Sequence, residues 1–141
     1  MGKVSLDDIK NLGFTPEQFS LTAATFDAWL QGVIDEQAML LEVRVGATAY
    51  ASAVTATAAY VKRAEKCLVA AELFQRRIVS IAGNAVPNGQ EPETTALDKQ
   101  KRAMLAEAQG LIDRLAASAV SDASDFACGA VITSHFEDDN A

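Results

Sequence analysis

Only one histidine, two cysteines and three prolines occur in the 141 residues, and aromatics make up 6% of the chain. A structural zinc site takes about four Cys or His ligands at short paired spacings. Cys67, Cys128 and His135 are too few and too widely spread for that. Two cysteines could in principle form one disulfide, but Cys67 sits inside an expected helix stripe and reads as a small buried hydrophobe, so the chain reads as one of a reducing compartment such as cytoplasm. The eight glycines form neither GxGxxG nor GxxxxGK[ST], which leaves phosphate cradling by a glycine loop unsupported. Long apolar runs are missing as well. Residues 45–61 are 17 uncharged positions, mainly Ala, Thr, Ser and Val, whereas a bilayer span takes roughly 20 strongly apolar ones. Residues 1–10 carry Asp7 and Asp8 and do not read as a signal peptide. Cations are outnumbered, 12 against 19 acids, and the net charge of -7 argues against a general binder of nucleic acid or anionic membrane.

What is abundant is alanine, at 27 positions within a half-hydrophobic composition. Alanine at this density favours closely packed helices, and the length suits one compact domain. Ser5 followed by Asp8 predicts a capped short helix that Gly13 ends in a left-handed conformation. Thr15, Pro16 and Gln18 repeat the start signal. A first long helix is expected over about 22–45, with Phe26, Trp29, Leu30, Val33, Leu40 and Leu41 on its apolar face and Gly46 as its stop. A second is expected over about 52–83. Its stripe of Tyr60, Ala64, Cys67, Ala71, Phe74, Ile78 and Ile81 alternates steps of four and three residues. Residues 84–95 hold Pro87, Asn88, Gly89 and Pro92 and read as an exposed connection. Thr95 and Asp98 then open a third helix, which folds back on the second through Met104, Ala108, Leu111 and Leu115. The expected fold is all-α: a small antiparallel bundle of three main helices plus short N-terminal helices, over 1–120, with an extended C-terminal tail over 121–141. The tail carries five acids and no cation. Within it, 129–136 reads equally as a helical turn or as a strand that needs an outside partner.

Catalytic constellations are missing. His135 is the only histidine and lies in the tail; Asp35–Glu36 and Asp138–Asp139 are adjacent pairs, not dyads converging on one point. No Glu-x-x-His motif is present for a bundle metal site. The chain therefore reads as no enzyme and as needing no cofactor or metal. Charge placement says more. Lys62, Arg63, Lys66, Arg76 and Arg77 stand against Glu65 and Glu72, a local +3, while residues 1–43 hold two cations against seven acids. One reading is a solvated surface with ordinary i,i+4 pairs such as Glu72–Arg76. The other is a subunit with a positive and a negative side, in which Lys62, Lys66, Arg76 and Arg77 meet Asp35 and Glu36 of the next copy in a ring.

Three segments in order complete the pattern. Leu40, Leu41, Glu42, Val43, Arg44, Val45 and Gly46 end the first long helix, and Tyr50, Ala51 and Ser52 follow. Then come Val61, Lys62, Arg63, Ala64 and Glu65, running through Ala70, Ala71, Glu72 and Leu73 to Arg76 and Arg77. This succession resembles the head-to-tail adaptor (head completion, connector) proteins of tailed double-stranded DNA bacteriophages. The resemblance covers roughly 14–83, with the third helix and tail agreeing in layout.

The resemblance implies a structural virion protein. It would be a helical-bundle subunit of a dodecameric ring in the neck below the portal, continuing the DNA channel, and present in host cytoplasm during assembly. Its partners would be the portal protein, a downstream stopper or tail completion protein, and copies of itself, with no membrane. The C-terminal extension that carries portal attachment maps onto 121–141, where Phe126, Val131, Ile132 and Phe136 are the candidate docking residues. DNA would pass through the lumen without specific binding, which suits an acidic chain. The alternative is a small cytosolic helical partner-binding module, a regulator or an assembly chaperone.

Overall fold

The computed structural model describes residues 2–83 and 91–139, with side chains over 2–83 and 93–118. Among the described residues there are helices and no strand: α1 (Leu6–Lys10), a 3-10 turn (Pro16–Phe19), α2 (Ala23–Val45), α3 (Ala47–Tyr50), α4 (Thr55–Gly83) and α5 (Glu91–Asp139). The all-α bundle expected from alanine content and helical spacing is the fold.

Local signals set most of the boundaries. Ser5 Oγ accepts the Asp8 N–H while the Asp8 carboxylate accepts the Ser5 N–H, a reciprocal cap that starts α1. At the 3-10 turn, with Pro16 at its first position, the Thr15 N–H donates to Gln18 Oε1 at 3.2 Å, and the Gln18 N–H donates to the Thr15 carbonyl. Gly13 at φ 95° and Gly46 at φ 88° supply the positive φ that turns the chain after α1 and after α2.

Two clusters of buried side chains lie along α4. One joins Val4, Ile9 and Phe14 to Phe26, Leu30 and Ile34 of α2 and to Val69 and Leu73 of α4. Its edge carries rings in contact, Phe19 with Trp29 at 4.9 Å and Phe14 with Phe74 at 5.1 Å between centroids. These pairs fasten the 3-10 turn and the residues just before it to the long helices, each by roughly 0.5–1.5 kcal/mol beyond the area it buries. The other cluster joins Ala38, Leu41 and Tyr50 to Val61, Ala64, Cys67 and Leu68, and then to Ala108, Leu111, Ile112 and Leu115 of α5. Buried alanines at positions 64, 70, 71 and 108 let the helix axes approach closely. Residues of α4 pair with α5 in reverse order, Arg63 with Glu107, Gln75 with Lys101 and Arg77 with Glu93, so α5 folds back antiparallel on α4.

The structure corrects the expected fold at four places. Tyr60, placed first in the core stripe, is 39% exposed, and Phe74, Ile78 and Ile81 are half-buried. The centre of α4 is enclosed on more than one face instead, with 64, 65 and 67–71 all buried, because α2 and the N-terminal segment cover one side and α5 another. Leu40 is half-exposed and not core. Helix α4 begins at Thr55 rather than near Ser52, after the short α3 that no sequence signal announced. Helix α5 begins at Glu91 rather than Thr95, since Pro92 in a first helical turn gives up no hydrogen bond. Of the expected connection, 84–90 lies outside the described residues. The segment left open between helix and strand, 129–136, is helical backbone, part of an α5 that runs unbroken through residue 120 to Asp139.

Candidate functional site

A groove of about 470 Å³ lies between α1, α4 and α5. Asp8 and Leu12 form one wall, Met104 and Glu107 of α5 the other, and Ala59, Lys62, Lys66 and Cys67 of α4 the floor, with Arg63 at the rim. The α1 cap places the Asp8 carboxylate 3.0 Å from Lys62 Nζ. The Ser5 N–H, then Lys62, hold that carboxyl at about 2, well below the ordinary range. Across the groove, Arg63 Nε donates to Glu107 Oε1. Burial, and secondly the Glu107 charge, push the Cys67 thiol up, so it stays protonated and is a poor nucleophile. Among the described residues no three His, Cys, Asp or Glu side chains gather to hold a metal ion. No helix among the described residues is long and apolar enough to cross a membrane. The groove suits an apolar side chain flanked by an acid.

The six charged residues expected at a subunit boundary take distinct places. Lys62 pairs with Asp8. Arg76 reaches Glu72 at 2.7 Å and Glu36 at 3.3 Å, and its guanidinium lies 5.6 Å from the Trp29 ring centroid. Arg77 pairs with Glu93 at 2.7 Å. Asp35 accepts from Gln31 Nε2 at 3.0 Å and from the Gly2 N–H at 3.4 Å. Lys66 lies in the groove without an ion pair among the described residues. The structure thus joins Glu36 to Arg76 inside one chain and keeps Asp35 away from the cations of α4. Exposed pairs of this kind add at most about 1 kcal/mol each. Phe126, Val131, Ile132 and Phe136 belong to the last turns of α5, and their side chains lie outside those described.

Two features of the structure have no motif in the sequence. Glu65, counted there as surface charge, is fully buried in α4. Its Oε1 accepts the Val4 N–H at 2.9 Å and its Oε2 accepts the Tyr50 hydroxyl at 2.7 Å. Burial, with Glu65 beside it, pushes the Tyr50 phenol above the ordinary tyrosine range, and Lys3 Nζ lies 5.3 Å from that ring's centroid. The available signal was position: Glu65 stands four residues after Val61 and three before Leu68, on their buried side. The second feature is an apolar ridge on α2. Met39 is 69% exposed, Leu40 50% and Val43 84%, with Glu42, Gly46 and Ala47 beside them.

Comparison with known proteins gives no match: no family model, no curated protein and no solved structure aligns with this chain.

Proposed function

We propose that this chain is a structural assembly subunit, an adaptor that forms a ring between a phage portal and the tail and continues the DNA channel. The observation that carries the reading is the unequal hairpin of α4 and α5. Pairing of Arg63 with Glu107 sets the antiparallel register, so Thr55, the first residue of α4, falls level with about Leu115, the last buried residue described in α5. Helix α5 nevertheless continues to Asp139. A helix that continues past its partner is long enough to lie in a groove of another molecule, and a portal groove is the partner proposed for it. The order of elements also favours the reading: α2 closed by Gly46, the Tyr50 turn, then α4 with its cations, as in the adaptors the sequence resembles.

In this account the ring is dodecameric and sits in the virion neck after assembly in host cytoplasm. The portal lies above it, and a stopper or tail completion protein below. The bundle supplies the wall and the end of α5 supplies attachment. The net charge of -7 keeps the wall from retaining DNA phosphates. Catalysis has no part in it.

Co-expression with the portal protein of the same phage tests the reading, using the full chain and a chain ending at Val120. The full chain is expected to co-purify with the portal and the shortened chain to remain free. Co-purification of both moves the attachment surface to the bundle. A full chain that never binds portal overturns the adaptor and favours a small cytosolic helical partner-binding module.

A further inference from the structure

We infer that the α2 ridge of one copy seats in the α1–α4–α5 groove of the next copy, as the repeating contact by which this chain self-associates. The inference rests on the ring proposed above and names its two faces.

The ridge consists of Met39 and Val43, one helical turn apart, with Leu40 beside them, and all three are exposed in the single chain. Exposed apolar side chains that form a continuous ridge mark an interaction surface more often than scattered ones do. The groove offers matching chemistry: Leu12 is 44% exposed, Ala59 is exposed, and Met104 is half-buried.

Charge fits in the same sense. Within the groove, Lys62 is held by Asp8 and Arg63 by Glu107, which leaves Lys66 as the cation without an ion pair among the described residues. On the ridge, Glu36 is held by Arg76, while the carboxylate of Glu42 has no cation partner among the described residues. An apolar ridge with a spare acid therefore matches an apolar groove with a spare cation. Arg44 lies on the ridge's other flank, exposed.

The two faces share no residue. Helix α2 packs against the Val61 and Leu68 side of α4, and the groove opens on the side bearing Lys62 and Lys66, so one copy can use both faces at once. Such a contact is heterologous, and repeated in one direction it closes into a ring or grows into a filament.

Sedimentation velocity of the full chain tests the inference. The wild-type chain is expected to form oligomers that grow with concentration. Glu42→Lys and Lys66→Glu are each expected to weaken association about tenfold, and both in one chain to restore it. Val43→Asp on the ridge and Leu12→Asp in the groove replace exposed side chains, so both are expected to fold with unchanged circular dichroism and to be monomeric alone. Mixed together, these two variants are expected to form a one-to-one dimer, since one intact ridge then meets one intact groove. Failure of the charge reversals to compensate, or a mixture that stays monomeric, overturns the inference. Wild-type oligomers that none of the four substitutions affects overturn these faces and leave the ring standing. A wild-type chain monomeric at every concentration overturns the inference, while the ring on the portal stands or falls by the co-purification above.

Discussion

The hydroxyl of Tyr50 donates to Oε2 of Glu65 at 2.7 Å, and the carboxylate that receives it is fully buried. The other oxygen of Glu65 accepts the Val4 N–H. One side chain of α4 therefore fastens both the N-terminal segment and the α3 turn that follows α2. A buried carboxylate is tolerated when donors surround it, and is costly when one is taken away.

Tyr50→Phe removes the stronger donor and keeps the ring. It is expected to cost about 1–3 kcal/mol in urea denaturation at neutral pH. The phenol is held above the ordinary range in the folded chain, while in the unfolded chain it ionises near pH 10, about the usual value. Its contribution is therefore complete below about pH 10 and is lost as pH rises beyond that. The stability gap between wild type and Tyr50→Phe should narrow in strongly alkaline buffer. A gap that is constant with pH would show that the hydrogen bond is not formed.

Asp8 has the opposite sign. Its carboxyl is held at about 2 by the Ser5 N–H and Lys62, against about 3.9 in an unfolded chain. The stability it contributes is present above about pH 4 and is lost as pH falls toward about 2. Ser5→Ala removes the hydroxyl half of the reciprocal cap and is expected to cost about 1 kcal/mol. Carboxyl titration by NMR checks the Asp8 value, and an ordinary titration would contradict the cap.

Core substitutions in α4 separate an enclosed helix from one with a single buried face. Leu73, off the heptad stripe, is fully buried, whereas Phe74, on it, is half-buried against Phe14. Leu73→Ala is expected to cost about 2–5 kcal/mol, and Phe74→Ala less. Phe74→Asp is still expected to destabilise, because it sets a charge among rings. The reverse order of costs in thermal denaturation would mean that the stripe is the core after all.

Ending the chain at Val120 is expected to leave the melting temperature of the bundle nearly unchanged. Leu115 is the last buried residue among those described, so the cut spares both clusters. A large drop would show that residues beyond 120 belong to the core.

The sequence carried the local features well, for reasons visible in particular residues. Caps act over three or four positions, and those at Ser5–Asp8, Gly13 and Gly46 are where the spacing predicted. The stripe of Met104, Ala108, Leu111 and Leu115 was legible because α5 covers α4 with one face only. For α4 the same reasoning failed. A helix covered by α2 and the N-terminal segment as well as α5 buries most of its circumference, and a heptad count sees a single seam. Tyr60 fits that seam and lies near the start of α4, where its ring is left 39% exposed. Glu65 was read as surface because its donors come from residues 4 and 50, distant in sequence. Helix α3 is four residues long, too short for periodicity to register. The charges of Arg76 and Arg77 were legible, but their partners Glu36 and Glu93 depend on how the helices pack.

Electron microscopy of the full chain assembled with its portal tests the central claim most directly. The account predicts a ring of this chain stacked coaxially beneath the portal, one subunit per portal subunit, with residues beyond 120 seated in the portal. Portal particles that stay bare in the presence of excess chain would contradict it.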